Sequence, residues 1–329
     1  MIYHQSVFER WAVEDKSIQA VITSPPYWQL RKYPIPDITI GDWTGQYGLE
    51  PTVQDYVAHT LLWAKEAWRV LRDDGIMFLN IGDTFNGNKE GNTNSKWESV
   101  NNKEFTKKKG LAPDKCKLLI PHRIAIALID EGWTLRNDII WHKPNGMPES
   151  ATSRFSKKHE SIFMFTKRSK YFFDLAAVKT PSKTRDNAMQ RGRERGYNLK
   201  IDAMDMPGRA KLAKGRLMPP IGGKKHSAEV GGIYSGNEPE IQPTCNPGDV
   251  WSIPTKPSSE KHFAMWPEKL VERMVLCSTK KGDTVLDPFC GSGITLRVVE
   301  ELGRKGLGID LGYKDVQARR MSKIQRRLI

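Results

Sequence analysis

The 329-residue sequence predicts an α/β fold built on a doubly wound, mostly parallel sheet. Short apolar runs typical of buried strands alternate with segments of helical periodicity, which is the pattern of open α/β sheets. Two of these strands end in loops rich in proline or glycine, where such sheets bind their ligands. The length suggests one large domain or a domain with an insert, and a composition of 38% hydrophobic and 27% charged residues allows a sizeable core.

The first half of the chain alternates predicted strands and helices. An apolar run at Ile18–Thr23 stops at a Pro-Pro pair and predicts a buried strand that enters a loop. Residues 53–71 predict a helix, because apolar side chains such as Val57 and Leu61 recur at helical spacing. Residues 86–113 are polar and predict a loop. The further elements predicted in this half are a strand over 75–81, a helix over 121–130 and strands over 134–141 and 160–166.

The regular alternation is interrupted between residues 175 and 248. Gly, Pro, Lys and Arg dominate this stretch and its apolar periodicity is weak, so it predicts an inserted region or a linker. We therefore divide the chain into residues 1–174, 175–248 and 249–329. Beyond the insert, the predicted elements are a helix over 267–276, a strand over 283–287, a helix over 293–302 and a strand over 305–309.

The net charge of +14 is unevenly distributed along the chain. Residues 179–225 hold 13 Lys and Arg against 4 Asp and Glu, and residues 304–327 hold 8 against 2. Clustered positive charge is typical of proteins that bind a polyanion, although an ordinary solvated surface can carry the same bias. On charge alone, nucleic acid binding and simple solvation are equally open.

Four well-separated cysteines, Cys116, Cys245, Cys277 and Cys290, form no paired motif, so the sequence predicts neither a metal site nor a disulfide framework. This cysteine usage fits a reducing cytoplasm. No apolar run is long enough to span a membrane, and residues 1–10 lack the pattern of a secretory signal. We therefore expect a cytoplasmic protein without membrane association.

A glycine-rich turn follows the predicted strand over 283–287. Gly291 and Gly293 allow the backbone to approach a ligand closely, and the first N–H groups of the next helix can hold a carboxylate. Asp310 ends the following strand, where a carboxylate can accept hydrogen bonds from two ribose hydroxyls. The series predicts a site for an adenosine-bearing ligand, although a tight turn with a surface aspartate is the simpler alternative. A phosphate-binding P-loop is disfavoured because the turn lacks Gly-Lys-Ser/Thr.

The loop after the first buried strand has the sequence Ser24-Pro25-Pro26-Tyr27. Its two prolines stiffen the backbone and remove two N–H donors, so the loop presents acceptors, while Tyr27 offers a flat face to a base. Acceptors that hold the hydrogens of an exocyclic amine free its lone pair for attack on a methyl group carried by a positively charged sulfur. This chemistry depends chiefly on positioning and requires no metal. The alternative is a proline-rich turn with core aromatic residues.

Together, the two loops resemble those of the β-class DNA amino methyltransferases. In that family an (Asp/Asn/Ser)-Pro-Pro-Tyr motif precedes a target-recognition region, and a Phe-x-Gly-x-Gly turn lies near the C-terminus. This chain has Ser24-Pro25-Pro26-Tyr27, the basic stretch 175–248 and Phe289-Cys290-Gly291-Ser292-Gly293 in the same order. Weaker matches extend the resemblance over nearly all of the chain outside 175–248, at residues 75–85, 132–150, 159–174 and 251–270.

The resemblance implies a Rossmann-like, circularly permuted fold of the kind found in S-adenosylmethionine-dependent methyltransferases, with an antiparallel edge strand. Residues 1–174 would form the catalytic part, residues 249–329 the cofactor-binding part of the same domain, and residues 175–248 the inserted target-recognition region. The cofactor would be S-adenosylmethionine and the partner double-stranded DNA. The target base would have to leave the helix to reach such a pocket, at the cost of unstacking it.

The resemblance also implies roles for individual residues. Ser24 and the Pro26 carbonyl would hold the target amine, and Tyr27 would stack on the base. The catalytic residues would be Ser24, Pro25, Pro26 and Tyr27. The cofactor-binding residues would be Asp287, Phe289, Gly291, Ser292, Gly293, Thr295 and Asp310, with Asp310 on the ribose and Thr295 near the carboxylate end.

Two positions depart from the family pattern. The family usually carries an acidic residue shortly after its N-terminal strand, near the adenine ring, whereas this chain has Tyr3-His4-Gln5-Ser6. The common Gly-Thr-Thr after the turn is Gly293-Ile294-Thr295 here, which removes one hydroxyl. We expect the local cofactor contacts to differ at these two places.

Several activities compete at this stage. Ser at the first motif position is commoner in the family's cytosine-N4 enzymes, whereas Asp or Asn is commoner in its adenine-N6 enzymes, so we favour cytosine N4 over adenine N6. A protein glutamine-N5 methyltransferase would carry its glycine-rich turn before the catalytic loop, which is the reverse of the order here. A non-catalytic DNA-binding protein would not need both motifs intact.

The basic insert is the predicted DNA-contact region. Its cations would neutralise phosphates rather than specify sequence, although arginine can also recognise guanine in the major groove. A cognate restriction endonuclease is a candidate partner, and both a monomer and a homodimer are open. The candidate DNA-binding residues are Arg185, Arg191, Arg193, Arg195, Arg209 and Arg216.

Overall fold

The computed structural model describes residues 1–86, 112–146, 148–181, 244–255, 266–312 and 317. The chain divides into two compact units. One unit consists of Met1–Val178 and Pro247–Ile329, and the other is Lys179–Asn246. The bounds of the second unit lie within a few residues of the predicted bounds 175 and 248, and the role of that stretch stays a prediction. The predicted loop over 86–113 lies almost entirely outside the described residues.

The helices and strands of the described residues follow the predicted alternation. The strands are β1 (Ile2–Tyr3), β2 (Ile18–Thr23), β3 (Ile38–Ile40), β4 (Trp43–Gly45), β5 (Leu71–Ile81), β6 (Thr134–His142), β7 (His159–Thr166), β8 (Thr180–Pro181), β9 (Thr244–Cys245), β10 (Val250–Ser252), β11 (Thr284–Asp287) and β12 (Lys305–Ile309). The helices are α1 (Val53–Val70), α2 (Ile120–Asp130), α3 (Glu268–Ser278) and α4 (Ile294–Glu301), with a short 3-10 helix at Ala176–Val178.

One eight-stranded sheet organises the larger unit, in the order β1-β12-β11-β2-β5-β7-β6-β10. β7 runs antiparallel to both of its neighbours, and the other pairings in this sheet are parallel. Strands β3 and β4 form a separate antiparallel pair, and β8 and β9 form another within the smaller unit. The predicted α/β fold with a mostly parallel sheet is therefore confirmed.

The position of the antiparallel strand differs from the expectation. We expect it at an edge of the sheet, but β7 lies between β5 and β6. The reason is that β6 pairs with the side of β7 that faces away from β5, and β10 then pairs with β6 in parallel, so β6 and β10 both lie outside β7. β10 is only three residues long, at Val250–Ser252, and apolar periodicity cannot reveal so short a strand.

Helices cover both faces of the sheet, as the doubly wound class requires. The apolar sides of α1 and α2 join one core cluster, and those of α3 and α4 contribute to another. β2 lies between the two clusters and is buried at all six positions. Val21 packs into the first cluster, whereas its neighbours Ala20 and Ile22 pack into the second. This alternation is typical of a parallel strand covered on both sides.

β5 begins at Leu71 rather than at residue 75. The added residues include Arg72, Asp73 and Asp74, whose polarity hides the strand from a search for apolar runs. The register between β2 and β5 also shifts here, and a Cβ on Gly75 would lie 2.9 Å from the Gln19 carbonyl oxygen. The irregular start of β5 therefore depends on contacts that only the folded sheet provides.

Candidate active site

The candidate site lies at the carboxyl edge of the parallel strands, where open α/β sheets bind ligands. Ser24 directly follows β2, the glycine turn follows β11, and Asp310 follows β12. Glu160 lies at the start of β7, and the opposite direction of β7 brings this end to the same edge. These chain segments surround a cavity of about 540 Å³.

The cavity brings together most of the residues singled out from the two motifs. Ser24 and Gly291, from opposite ends of the chain, both line it. Gly293 is the exception, because it caps the N-terminus of α4 and is not among the lining residues. The candidate residues that line the cavity are Ser24, Pro25, Pro26, Tyr27, Asp287, Phe289, Gly291, Ser292, Thr295 and Asp310.

Asp287 is buried at the end of β11 and accepts three hydrogen bonds. The hydroxyls of Thr23 and Thr295 donate to its two oxygens at 2.9 and 2.6 Å, and the backbone N–H of Phe289 donates at 3.1 Å. Burial nevertheless raises the pKa of this carboxyl to about 6. Asp287 therefore ties β2, the glycine turn and α4 together beside the cavity.

The glycine turn adopts backbone conformations that favour glycine. Gly291 and Gly293 have φ angles of 47° and 80°. The Asp310 carboxylate accepts hydrogen bonds from the N–H groups of Gly291 and Gly312, both at 2.7 Å. Burial raises the pKa of Asp310 above its ordinary value. Each carboxylate oxygen has a second lone pair, so Asp310 can fix the turn and still accept from a ligand hydroxyl.

The start of α4 borders the cavity through Ile294 and Thr295. No side-chain hydrogen bond from the described residues caps this helix. Its first N–H groups, at the positive end of the helix dipole, are therefore positioned for an anionic group such as a carboxylate.

Aromatic packing fixes the turn against the core. The Phe289 ring stacks on Tyr47 with 5.6 Å between ring centroids and meets Trp63 edge-on at 5.3 Å. Tyr47 in turn stacks on Tyr56 of α1 at 5.1 Å. Phe289 therefore exposes part of its ring to the cavity while the core holds it in place.

Tyr27 has a defined position in the motif loop. Its hydroxyl lies 3.0 Å from Asn80 Oδ1 and 2.8 Å from Glu160 Oε2. Ser24 Oγ lies 3.5 Å from the same hydroxyl. The ring packs against Gly82, where an added Cβ would lie 2.5 Å from a ring carbon. Burial and the neighbouring Glu160 charge raise the pKa of Tyr27 well above its ordinary value, so the hydroxyl keeps its proton at neutral pH.

The Pro26 carbonyl is engaged within the protein. The hydroxyl of Tyr56, a residue buried on α1, donates to it at 2.7 Å. This contact uses one of the two lone pairs of the oxygen, so the role of the Pro26 carbonyl toward the target amine stays a prediction. Pro25 also lines the cavity, and no hydrogen bond to its carbonyl is found within the described part of the chain.

A charged pair closes the side of the cavity formed by β6 and β7. Lys143 Nζ donates to Glu160 Oε1, and the same ammonium lies 4.2 Å from the centroid of the Trp141 ring. All three side chains line the cavity. The pair therefore places both a cation and a carboxylate near Tyr27.

Sequence reasoning did not single out Thr23, Asn80, Lys143 or Glu160. Thr23 and Asn80 are polar residues near the ends of otherwise buried strands, and this pattern could have indicated them. The pairing of Lys143 with Glu160 could not be foreseen, because it depends on the antiparallel register of β6 and β7.

The remaining predicted positions are the N-terminal segment and the DNA-binding candidates. Gln5 and Ser6 line the cavity, so the N-terminal segment reaches it without the acidic residue that the family usually carries. The candidate DNA-binding residues Arg185, Arg191, Arg193, Arg195, Arg209 and Arg216 all lie outside the described residues.

The sequence matches the DNA methylase family N6_N4_Mtase over residues 18–318. It is 33% identical over 302 residues to the Type II methyltransferase M.XycI of Xanthomonas campestris pv. cyanopsidis, covering 90% of this chain and 77% of that protein. It is 32% identical over 314 residues to the Type II methyltransferase M.Cfr9I of Citrobacter freundii, covering 93% and 81%.

Solved structures share the fold. The PvuII DNA methyltransferase (cytosine-N4-specific) superimposes with a TM-score of 0.59 at 19% identity, over 99% of this chain and 89% of that one. A DNA modification methylase of Thermus thermophilus, described as putative and solved in complex with S-adenosyl-L-methionine, gives a TM-score of 0.55 at 19% identity, over 98% and 93%. At this identity, the likeness concerns the fold.

Within the described part of the chain, no helix combines the length and apolar character needed to cross a bilayer. The family match covers most of the chain, and the two motif loops line one cavity. The chain therefore belongs to the DNA methylase family of N6 and N4 amino methyltransferases and is an S-adenosylmethionine-dependent DNA methyltransferase.

Proposed function

We propose that this methyltransferase modifies the exocyclic N4 amine of cytosine in double-stranded DNA. The observation that carries the proposal is the shared cavity, which Ser24 lines from one motif and Gly291 from the other. Methyl transfer requires the amine and the donor carbon to approach within about 3–3.5 Å in line. A single cavity allows this approach without any large movement of the two loops.

The cavity residues suit the chemical groups of S-adenosylmethionine. The start of α4 would hold its carboxylate, and Asp310 would accept from its ribose hydroxyls. A Cβ on Gly291 would meet nothing closer than 3.9 Å, so the turn leaves space beside it. The bound cofactor would supply a methyl group on a positively charged sulfur. The remaining candidate contacts are Asp287, Phe289, Ser292, Gly293 and Thr295, of which Gly293 would act through the turn.

The motif loop would hold the amine. Ser24 Oγ would accept one amine hydrogen. The Pro26 carbonyl, which has one lone pair left beside its hydrogen bond from Tyr56, would accept the second, and the Pro25 carbonyl is the alternative acceptor. Two such bonds pull the nitrogen out of conjugation with the ring and direct its lone pair toward the methyl group. Tyr27, whose ring is held against Gly82, would stack on the base.

The choice of cytosine over adenine rests on Ser24. In the family, Ser at this position is commoner in cytosine-N4 enzymes. The PvuII protein carries cytosine-N4 specificity in its description, but a likeness at 19% identity supports the fold and leaves the base to the motif. Adenine N6 is the alternative, because the same two acceptors fit its amine.

The base can be identified in DNA from a host that lacks its own DNA methylation. We expect nucleoside mass spectrometry to detect N4-methylcytosine with the wild-type chain and none above background with Ser24→Ala. Ser17→Ala, at an exposed serine outside the cavity, should behave as wild type. N6-methyladenine without N4-methylcytosine would overturn the base assignment, and unmodified DNA would overturn the proposed transfer altogether.

The partners follow from the same proposal. Residues 1–174 and 249–329 would form the methyltransferase domain, and the insert at 175–248 would recognise the target sequence, with its six candidate arginines on DNA. Relatives named Type II methyltransferases support a role beside a cognate restriction endonuclease. A cytoplasmic location belongs to the same proposal. A monomer and a homodimer both fit, and analytical ultracentrifugation distinguishes them.

A further inference from the structure

The Tyr27 hydroxyl lies within hydrogen-bond distance of two acceptor oxygens but has one hydrogen to donate. Asn80 donates its Nδ2 to the Ser161 carbonyl at 3.0 Å, which leaves its Oδ1 as the atom facing Tyr27. Glu160 presents a carboxylate oxygen to the same hydroxyl at 2.8 Å. Tyr27 has a single hydroxyl hydrogen, so it can serve only one of these two acceptors at a time. In the cluster of Tyr27, Asn80 and Glu160, two acceptor oxygens therefore share one hydroxyl hydrogen.

Ser24 connects this cluster to the candidate amine position. Its hydroxyl is oriented to donate to Tyr27 Oη at 3.5 Å, a long contact of the kind that substrate binding can tighten. The donors therefore follow one direction, from Ser24 to Tyr27 and from Tyr27 to Glu160. A proton arriving at Ser24 has a continuous path to a carboxylate.

We propose that Glu160 receives, through Ser24 and Tyr27, the proton that the target amine loses during methylation. This inference rests on the proposed function. As the N–C bond forms and the C–S bond breaks, the positive charge moves from sulfur to the amine nitrogen. The amine then gives a proton to Ser24, whose own hydrogen passes to Tyr27 as the Tyr27 hydrogen passes to Glu160. The products are a neutral thioether, a neutral methylated amine and a neutral carboxyl group.

The transfer completes the hydrogen bonding of the cluster. The protonated Glu160 donates to Tyr27 Oη, and Tyr27 is then free to donate to Asn80 Oδ1, so both acceptors are satisfied. Burial keeps the pKa of Tyr27 high, which suits a group that relays a proton and does not store a charge. A serine hydroxyl is too weak a base to retain the proton. The path through Tyr27 transfers this proton to the Glu160 carboxylate.

Glu160 also contacts Lys143 and is partly exposed to solvent. The ammonium of Lys143 donates a hydrogen bond to the other oxygen of Glu160, so a cation lies beside the group that receives the proton. The side chains of Lys143 and Glu160 are 20% and 19% exposed, so Glu160 can return the proton to water between turnovers. Glu160 therefore acts as a positioning and proton-accepting residue that reaches the base only through other groups.

The test compares single-turnover methyl transfer at saturating S-adenosylmethionine and DNA. We expect Glu160→Ala and Glu160→Gln to slow the transfer by about 10²-fold, within the range for general base catalysis. Calorimetry should give S-adenosylmethionine affinities close to wild type, which shows that the site is folded. Formate should restore Glu160→Ala at least tenfold, whereas Glu160→Gln, which leaves no space for it, should not respond. Glu131→Ala, at an exposed glutamate on the end of α2, is the matched control.

A second measurement tests the path itself. If the proton passes through Tyr27, the double variant Tyr27→Phe with Glu160→Gln should be no slower than the slower single variant. Two results would overturn the proton relay but not the proposed function. These are a wild-type rate for Glu160→Gln, or a Glu160→Ala variant that binds cofactor but whose transfer rate does not rise with formate. A wild-type chain that methylates no DNA would instead overturn the proposed function.

Discussion

Two carboxylates at the cavity, the buried Asp287 and the partly buried Asp310, contribute to the stability of the fold as well as facing the ligand space. Asp287 accepts from Thr23 and Thr295. Asp310 accepts from the N–H of Gly291 in the turn and from the N–H of Gly312 beyond β12. Burial disfavours their charged forms and raises both pKa values, so hydrogen bonds compensate only part of the desolvation cost. The stability of the fold should therefore depend on pH through these residues.

Asp287 gives the clearest case, because its pKa rises from 3.8 to about 6 in the folded chain. Its contribution to stability is fully present below about pH 4 and is lost as the pH rises through about 6, by roughly 3 kcal/mol. We expect Asp287→Asn to remove this decline. Urea unfolding from pH 4 to 7 should give a wild-type-minus-variant difference that changes across this window, and a constant difference would contradict the account.

Tyr56 tests the support beneath the motif loop. Tyr56→Phe removes the donor to the partly buried Pro26 carbonyl, so we expect a loss of about 1 kcal/mol in unfolding free energy. The methyl-transfer rate should fall while the affinity for S-adenosylmethionine is unchanged, because the loop and not the glycine turn is loosened. Tyr171→Phe removes a hydroxyl that contacts Arg136 at an exposed contact and is the control. An unchanged transfer rate in Tyr56→Phe would show that this hydrogen bond does not position the loop.

At the residue scale, the sequence revealed the groups whose types are unusual for their position. Ser24, Tyr27 and Asp310 stand at the ends of apolar runs, and all three line the cavity. Glu160 and Lys143 were not singled out, because a charged residue at the start or end of a strand is ordinary. Their importance depends on a partner from another strand, and only the folded register supplies it.

At the element scale, the site depends on how the ends of neighbouring strands are joined. The carboxylate of Asp310, just beyond β12, holds the Gly291 N–H in the turn that follows β11. The parallel pairing of β11 with β12 brings these two ends together. The geometry of the turn is therefore set by the adjacent strand as well as by its own glycines.

Asp310→Ala should loosen the glycine turn and remove the ribose acceptor together. We expect the dissociation constant for S-adenosylmethionine to rise by at least about tenfold, equivalent to about 1.4 kcal/mol, with a smaller effect for Asp310→Asn. Isothermal titration calorimetry measures this change, and Asp73→Ala at an exposed ion pair is the control. Equal affinities of Asp310→Ala and wild type would remove Asp310 from the cofactor site.

Most helices and strands were predictable from the sequence, but strand segments without an apolar run were not. The long periodic helix α1 ends at Val70, within a residue of the predicted end. The polar start of β5 and the short β10 escaped notice, because neither has a run of apolar residues. The antiparallel strand was expected at an edge of the sheet because no local pattern shows that β6 pairs with the outer side of β7.

At the scale of the whole molecule, charge should govern the interaction with DNA. The chain carries a net charge of +14, much of it clustered between residues 179 and 225. Binding to a DNA duplex should weaken steeply and linearly on a log–log plot as salt increases, since each neutralised phosphate releases counterions. Binding of S-adenosylmethionine should change little. A flat salt dependence for DNA in fluorescence anisotropy titrations would contradict this electrostatic role.

The pairing of strands in the whole sheet also explains how two motifs far apart in the sequence form one site. The catalytic loop and the glycine turn come from opposite ends of the sequence, yet β2 and β11 are adjacent in the sheet. The sequence order predicted this meeting only through its resemblance to a family, because no local pattern specifies which strands pair. The sheet order β11-β2-β5 is what makes one cavity from two distant segments.

The most direct test is a crystal structure of the chain with a non-reactive S-adenosylmethionine analogue and a DNA duplex that contains its methylation site. The account predicts the analogue at the glycine turn and Asp310, with an extruded cytosine whose N4 lies at hydrogen-bond distance from Ser24 Oγ. A cofactor bound away from Gly291, or a target base whose amine does not reach Ser24, would contradict it.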